Sequence, residues 1–405
     1  MTKIILNALL LTGAISGSVL ADTGTQAPEE SALPPPSPAQ KIPDPPRPDV
    51  RAYLLMDYTS GRVLLGEHFE ERIDPASLTK MMTSYVIGQE LKLGRIHADD
   101  MVPISENAWG KKLGDSSKMF LEVGKTVPVE MLNKGIIIQS GNDACIAMAE
   151  YIAGSESSFA SLMNEWGKRI GLKGSNFVNS HGLYNENHYS TAYDMAVLGR
   201  ALIKDLPEEY QIYSQKEFTF NNIKQVNRNR LLWDNSIHVD GIKTGHISQV
   251  GYTLVASAIN DKNGMRLISV VIGDVSEKSR AANSLALLRY GLRFYEPYSP
   301  LAGGQTLLKK EVRLGDVSEV PLGTLHDVSF AVPLESEKRI KATYVMKESP
   351  LRAPITKGQV MGTLTFSLDG KAIYEIPLVA LSDVAEGGFM SRMWDQMYLT
   401  VSGWF

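Results

Sequence analysis

The chain has 405 residues, 43% of them apolar and 21% charged, with a formal net charge of -4. A chain of this length can form two domains and bury roughly three quarters of its unfolded surface. The balance of 41 basic against 45 acidic residues leaves no basic footprint for nucleic acid, and one cysteine excludes an internal disulfide framework or a multi-thiolate metal site.

Residues 1–21 read as a signal peptide. Lys3 supplies the positive start, Ile4 to Ile15 is largely apolar, and Val19-Leu20-Ala21 offers a cleavage site before Asp22. The run is too short and interrupted to be a membrane span. Residues 22–48 follow as a linker, with nine of the chain's 20 prolines between Pro28 and Pro48. Proline cannot donate to a helix or sheet ladder, so this stretch is expected to be an extended tether.

Residues 49–296 read as one α+β domain. Two short apolar strands from Ala52 to Gly66 flank the turn Thr59-Ser60-Gly61. Helical patterns fill 75–205. A second hairpin pairs Tyr252–Ile259 with Met265–Ile272 across Asp261-Lys262-Asn263-Gly264, and a helix follows from Ser276 to Leu292. The strands are apolar on both faces, which predicts an antiparallel sheet covered by helices on each side. Residues 297–385 change texture to short alternating runs (Val328–Val332, Ile340–Met346, Gly362–Leu368, Ile373–Leu378), the pattern of a small all-β domain. In 386–405, Phe389, Met390, Met393, Trp394, Met397, Tyr398 and Val401 recur at helical spacing. That is an amphipathic helix suited to a membrane surface, held by apolar burial more than by charge.

Three motifs carry chemistry. In Ser77-Leu78-Thr79-Lys80, Asp74 and Pro75 read as the N-cap and first residue of a helix. Ser77 then lies where free N–H groups and the helix dipole favour negative charge, and Lys80 falls on the same face. A serine hydroxyl needs a neighbouring base, which a lysine becomes once burial and a nearby cation drive it toward the neutral form. Ser140-Gly141-Asn142 sits at a turn between an apolar helix (Met131–Ile138) and another (Asp143–Ala153), where a hydroxyl can relay a proton and an amide can hold a carbonyl. Ser105-Glu106-Asn107 fits the same loose pattern but lacks the flanking helices. In Lys243-Thr244-Gly245, on a strand edging a cleft, Lys243 supplies a fixed positive charge and Thr244 a hydroxyl for an anionic substrate end. Gly245 leaves room for a substrate backbone to add as a strand. The seven histidines form no His-x-x-x-His pair, which argues against a zinc hydrolase; no metal and no cofactor is expected.

With these motifs in this order, and with the longer strings Asp74–Tyr85, Gln139–Cys145 and Val239–His246, the chain resembles the penicillin-binding protein 5 and 6 group of low-molecular-mass D-alanyl-D-alanine carboxypeptidases. The resemblance runs from about Ala52 to the C-terminus. It implies a β-lactamase/transpeptidase-like domain with a helical subdomain, and a periplasmic enzyme held on the inner-membrane surface by its C-terminal helix. It implies that Ser77 attacks the bond between the two terminal D-alanines of a peptidoglycan stem peptide, with Lys80 as base and the Ser77 and His246 N–H groups around the oxyanion. Ser140 and Lys243 would return the proton, and β-lactam antibiotics would acylate the same serine. Asn142, Thr244, Gly245, Arg228 and Arg280 match substrate-binding positions. Asp205 and His246 match a pair that tunes the site, and Ser116 or Ser117 a serine beside the cleft. Cys145 reads as a buried small side chain. The chain departs from the group in its longer tether, an apparently shortened Trp109–Ser117 loop, and Asp274-Val275 in place of a Gly-Arg pair. The alternatives are a D-alanyl-D-alanine endopeptidase, a class A-like β-lactamase, for which no Glu-x-x-Leu-Asn string is found, and a non-catalytic penicillin-binding sensor. Oligomeric state stays open.

Overall fold

The computed structural model describes residues 4–6 and 42–388. The rest of the expected signal peptide, most of the proline-rich linker and the expected helix from Phe389 onward lie outside the described residues. No helix among the described residues is long and apolar enough to cross a membrane. The chain divides into two compact units, one of 45–300 with 329–335, the other of 301–328 and the residues from 336 onward, which also takes the strand Ile4–Leu6.

The first unit is α+β. Its principal elements are β1 (Ala52–Asp57), β2 (Val63–Glu67), α1 (Thr79–Lys92), α2 (Asn142–Ala153), α3 (Glu156–Arg169), α4 (Ala192–Asp205), β3 (His238–Ile247), β4 (Gly251–Ile259), β5 (Arg266–Asp274) and α5 (Glu277–Phe294). The five strands form one antiparallel sheet in the order β2-β1-β5-β4-β3. Strands from both ends of the segment therefore meet at its centre, with Val270 opposite both Leu54 and Val255.

Alternation along each strand divides the side chains between two cores. Leu54, Met56, Val255, Ile268 and Val270 face Met81, Tyr85, Met195 and Leu198 of α1 and α4. Tyr53, Leu55, Leu254, Leu267 and Val271 face Leu287 and Leu288 of α5 on the other side. Each fully buried aliphatic side chain contributes about 1.5–3 kcal/mol, so both helix layers are held by many small increments. The expected two-sided coverage is therefore present. A third cluster joins Ile87, Val102, Val127, Leu132, Ile136, Cys145 and Met148 into a helical subdomain beside α1.

The second unit is all-β. A sheet runs in the order 4–6, 340–346, 360–368, 371–380, 319–323, 306–313, with 351–352 pairing in parallel at its end. Residues 329–335 belong to the first unit: Phe330 and Ala331 lie in a strand that pairs with Tyr295–Leu301, and the Ala331 N–H donates to buried Asp57 at 3.1 Å.

Candidate active site

The serine motif begins one turn earlier than its α-helix. Asp74 and Pro75 do not start α1. Instead, Asp74 Oδ1 accepts from Ala76 N at 2.8 Å, Ala76 adopts φ 48°, and Ala76–Leu78 forms a 3-10 turn leading into Thr79. The side chain of Asp74 still satisfies an end N–H, so the capping chemistry survives in a tighter geometry. Ser77 sits on this turn and lines a cleft of about 250 Å³ with Asn142, Arg228, Thr244, Gly245, His246 and Arg280.

Lys80, 1% exposed, points its Nζ to Ser77 Oγ at 3.2 Å and donates to the His181 carbonyl oxygen at 2.5 Å. Burial, reinforced by the Arg228 guanidinium, lowers its pKa to about 8. A lysine in that range carries an appreciable neutral fraction near neutral pH, as a general base requires.

The second motif follows a break in helix geometry. The expected helix Met131–Ile138 is an α-helical turn, Val129–Lys134, that widens into a π-helix at Gly135–Gln139. Ser140 ends it in the left-handed region at φ 67°. Ser140 Oγ is buried and has no hydrogen-bond partner among the described residues, an arrangement that leaves its hydroxyl available to a substrate. Asn142 opens α2, and its N–H donates to Ser117 O at 2.8 Å. The neighbouring Asp143 takes the N–H groups of Met119 and Leu121 at 2.9 and 3.0 Å, fixing the segment in front of the motif. Ser105 and Asn107 instead bind Glu150 at the far end of α2, and they take no part in the cleft.

The third motif lies on β3, the edge strand of the sheet. A Cβ at Gly245 would come within 2.6 Å of Thr253 Oγ1 and 3.5 Å of Ser77 N, so only glycine keeps this edge open beside the serine turn. Lys243 is 3% exposed, and burial together with Lys80 and Arg228 lowers its pKa well below the ordinary range. The Lys80 amine nearby disfavours a second positive charge there. The cations of the cleft are Arg228, which donates to Ser117 Oγ at 2.7 Å, and Arg280, which donates to Gly245 O at 2.9 Å. Arg280 and His246 both flank Tyr252, at 5.4 and 4.1 Å from its ring.

Asp205 does not join His246. It accepts from Tyr85 Oη at 2.9 Å, and its carbonyl accepts from Lys92, near the end of α1 far from the serine. Ser116 and Ser117 both line the cleft; Ser116 Oγ donates to Leu113 O, and Ser117 Oγ accepts from Arg228. Cys145 is buried, and burial pushes its thiol up to about 12, so it is no competing nucleophile. No group of metal-ligating side chains occurs among the described residues. Sequence reasoning missed His181, Gly182 and His188. His188 accepts from Val178 N at Nδ1, which places its proton on Nε2, 2.7 Å from Thr79 Oγ1. Burial and the neighbouring His181 and Lys80 lower its pKa to about 4, so it is neutral at pH 7. No local pattern marks these residues; only the Gly-containing loop at 179–184 hints at a close approach.

Comparison with known proteins agrees with this geometry. Residues 39–276 match the family model of D-alanyl-D-alanine carboxypeptidases, and residues 295–386 that of the penicillin-binding protein 5 C-terminal domain. The chain is 49% identical to the D-alanyl-D-alanine carboxypeptidase DacA of Haemophilus influenzae, over 89% of this chain and 92% of that one. It is also 49% identical to DacC of Escherichia coli, over 91% and 92% of the two chains. The crystal structure of penicillin binding protein 5 from Haemophilus influenzae superposes with a TM-score of 0.80, covering 85% of this chain and 99% of that one.

Proposed function

Because the chain belongs to the D-alanyl-D-alanine carboxypeptidase family and is a serine-type enzyme of that activity, we propose that Ser77 is its nucleophile and Lys80 its general base. The observation that carries this reading is the Lys80 amine, 3.2 Å from Ser77 Oγ and lowered to about 8. Lys80 takes the hydroxyl proton as Ser77 Oγ attacks the carbonyl carbon between the two terminal D-alanines. The N–H groups of Ser77 and His246 hold the oxyanion. The carbon–nitrogen bond then breaks, and the proton passes from Lys80 through the Ser140 hydroxyl to the departing D-alanine amine. Lys243 supports this relay from β3. Water cleaves the remaining ester and returns the serine.

Asn142 and Thr244 hydrogen-bond the peptide, Gly245 admits its backbone beside β3, and Arg228 and Arg280 hold its terminal carboxylate end. β-Lactams acylate the same serine. Peptidoglycan stem peptides are the substrate, and no cofactor enters the scheme. We further infer a mature periplasmic chain of signal peptide removed (1–21), linker (22–48), catalytic domain (49–296), β-rich domain (297–385) and a helix (386–405) lying on the inner membrane. Release of the full chain from membranes by high salt alone would remove the last element.

The direct test offers the mature protein a peptide ending in D-Ala-D-Ala and measures free D-alanine. Release by the wild type and none by Ser77→Ala supports the assignment. Fast penicillin hydrolysis with no D-alanine released would transfer it to the β-lactamase reading, and penicillin binding with no turnover of either to the sensor.

A further inference from the structure

We propose that Glu156 is a positioning residue for the general base: its carboxylate anchors the turn at Ser180-His181, whose carbonyl oxygen aims the Lys80 amine at Ser77. This inference rests on the roles given above to Ser77 and Lys80.

Glu156 is the first residue of α3, where the helix end favours a negative charge. Its Oε1 accepts from Ser180 N at 3.1 Å and Ser180 Oγ at 2.8 Å, and lies 3.1 Å from His181 Nε2. His181 Nδ1 accepts from Leu183 N at 3.1 Å, so the ring proton resides on Nε2 and points at the carboxylate. Three donors from two adjacent residues thus converge on one carboxylate oxygen. Burial alone would raise the Glu156 pKa, yet His181 and Ser180 outweigh it and lower the value to about 2. The carboxylate is therefore charged at every working pH.

The anchored turn reaches the reacting atoms through one contact. The His181 carbonyl accepts an N–H of Lys80, and Thr83 Oγ1 donates to the adjacent Ser180 carbonyl at 2.5 Å. An amine that spends one N–H on a fixed acceptor has its remaining directions limited, so its lone pair is held toward the Ser77 hydroxyl. The charged groups acting on Lys80 are Arg228, Lys243 and Asp143. Asp143 is engaged by backbone N–H groups, and Arg228 disfavours charge on the amine, so the His181 carbonyl is its directional acceptor. Glu156 makes no contact with Lys80 and acts only through that turn.

The experiment follows acylation of the full-length protein by a fluorescent penicillin from neutral to alkaline pH, with thermal unfolding measured in parallel. Glu156→Ala is expected to acylate about ten to a hundred times more slowly. Its rising pH limb should move up toward the ordinary lysine range, because a loosened turn admits water to an amine lowered chiefly by burial. Glu156→Gln keeps an acceptor oxygen at the same reach and should recover to within about twofold of wild type. Wild-type rates and an unmoved limb in Glu156→Ala overturn the proposal, as does an equal loss in both variants. If Glu156→Ala does not fold, Ser180→Ala removes one of the three donors, and its limb shift or lack of one decides the matter. A wild type that penicillin does not acylate at Ser77 would strike the parent assignment instead, before any variant is read.

Discussion

Gly182 lies so close to Ala76 that a Cβ at position 182 would fall 1.8 Å from the Ala76 carbonyl oxygen. The two residues are 106 positions apart, and their approach presses the loop that carries the His181 carbonyl against the turn that carries Ser77. Gly182 also has φ 83°, a conformation that a side chain resists.

Gly182→Ala is therefore expected to displace the serine turn. The clash is with backbone, so no rotamer change relieves it, and a cost of about 2 kcal/mol or more in stability is expected. Acylation by penicillin should fall by about a hundredfold. Thermal unfolding and covalent labelling measure the two effects.

Lys80 makes the enzyme's stability pH-dependent in a direction opposite to that of an ion pair. Its folded pKa of about 8 lies below the ordinary value of 10.5. Below about pH 8 both folded and unfolded chains carry the proton, and the folded state bears the whole cost, about 3 kcal/mol. Between the two values the unfolded chain binds more protons, so stability rises with pH. Lys80→Met should be inactive yet unfold several degrees higher at neutral pH, with the advantage shrinking toward about pH 10. Equal melting temperatures at neutral pH would refute this.

Acylation of the wild type should climb with pH and level off near the Lys80 value, since the neutral amine is the active form. A pH–rate profile of covalent penicillin labelling, in which the leaving ring nitrogen stays tethered to the acyl-enzyme, measures this limb.

Ser140→Ala separates chemistry from folding. The hydroxyl has no partner to lose, and an unpaired buried hydroxyl is itself a cost. Peptide turnover should drop about a hundredfold with the melting temperature unchanged or slightly raised. A lower melting temperature would show that the hydroxyl is structural.

Arg228→Gln should raise the KM for a D-Ala-D-Ala peptide about tenfold, with a smaller change in kcat, because it removes a charge that pairs with the substrate's carboxylate end. The same variant should show a weaker dependence of kcat/KM on salt. Steady-state kinetics at two ionic strengths test both.

Much of this site is legible in the chain because it is local. Ser77 and Lys80 are three residues apart on one turn, and Lys243, Thr244 and Gly245 follow one another along a strand, so spacing alone groups them. The β3–β4–β5 meander is legible for the same reason, through its apolar runs and the Asn263-Gly264 turn. The partner of Asp205 is not legible, because position at a helix end says nothing about which neighbour its side chain meets, and that neighbour is Tyr85. Glu156 and His181 carry no signal, because their contact joins a helix start to a loop 25 residues away.

The amino-acid order by itself determined the family, the two-sided sheet and the serine and lysine proposed as nucleophile and base, since helix spacing, strand alternation and motif chemistry are properties of neighbours along the chain. Tertiary structure alone decided that Lys80 and Lys243 are buried and hold their protons less tightly, and which carbonyl the Lys80 amine meets. Protonation depends on how many atoms exclude water from a group and which charges stand near it, and at Lys80 the neighbours are Asp143 of α2, Arg228 and the 179–184 loop, which only folding brings together.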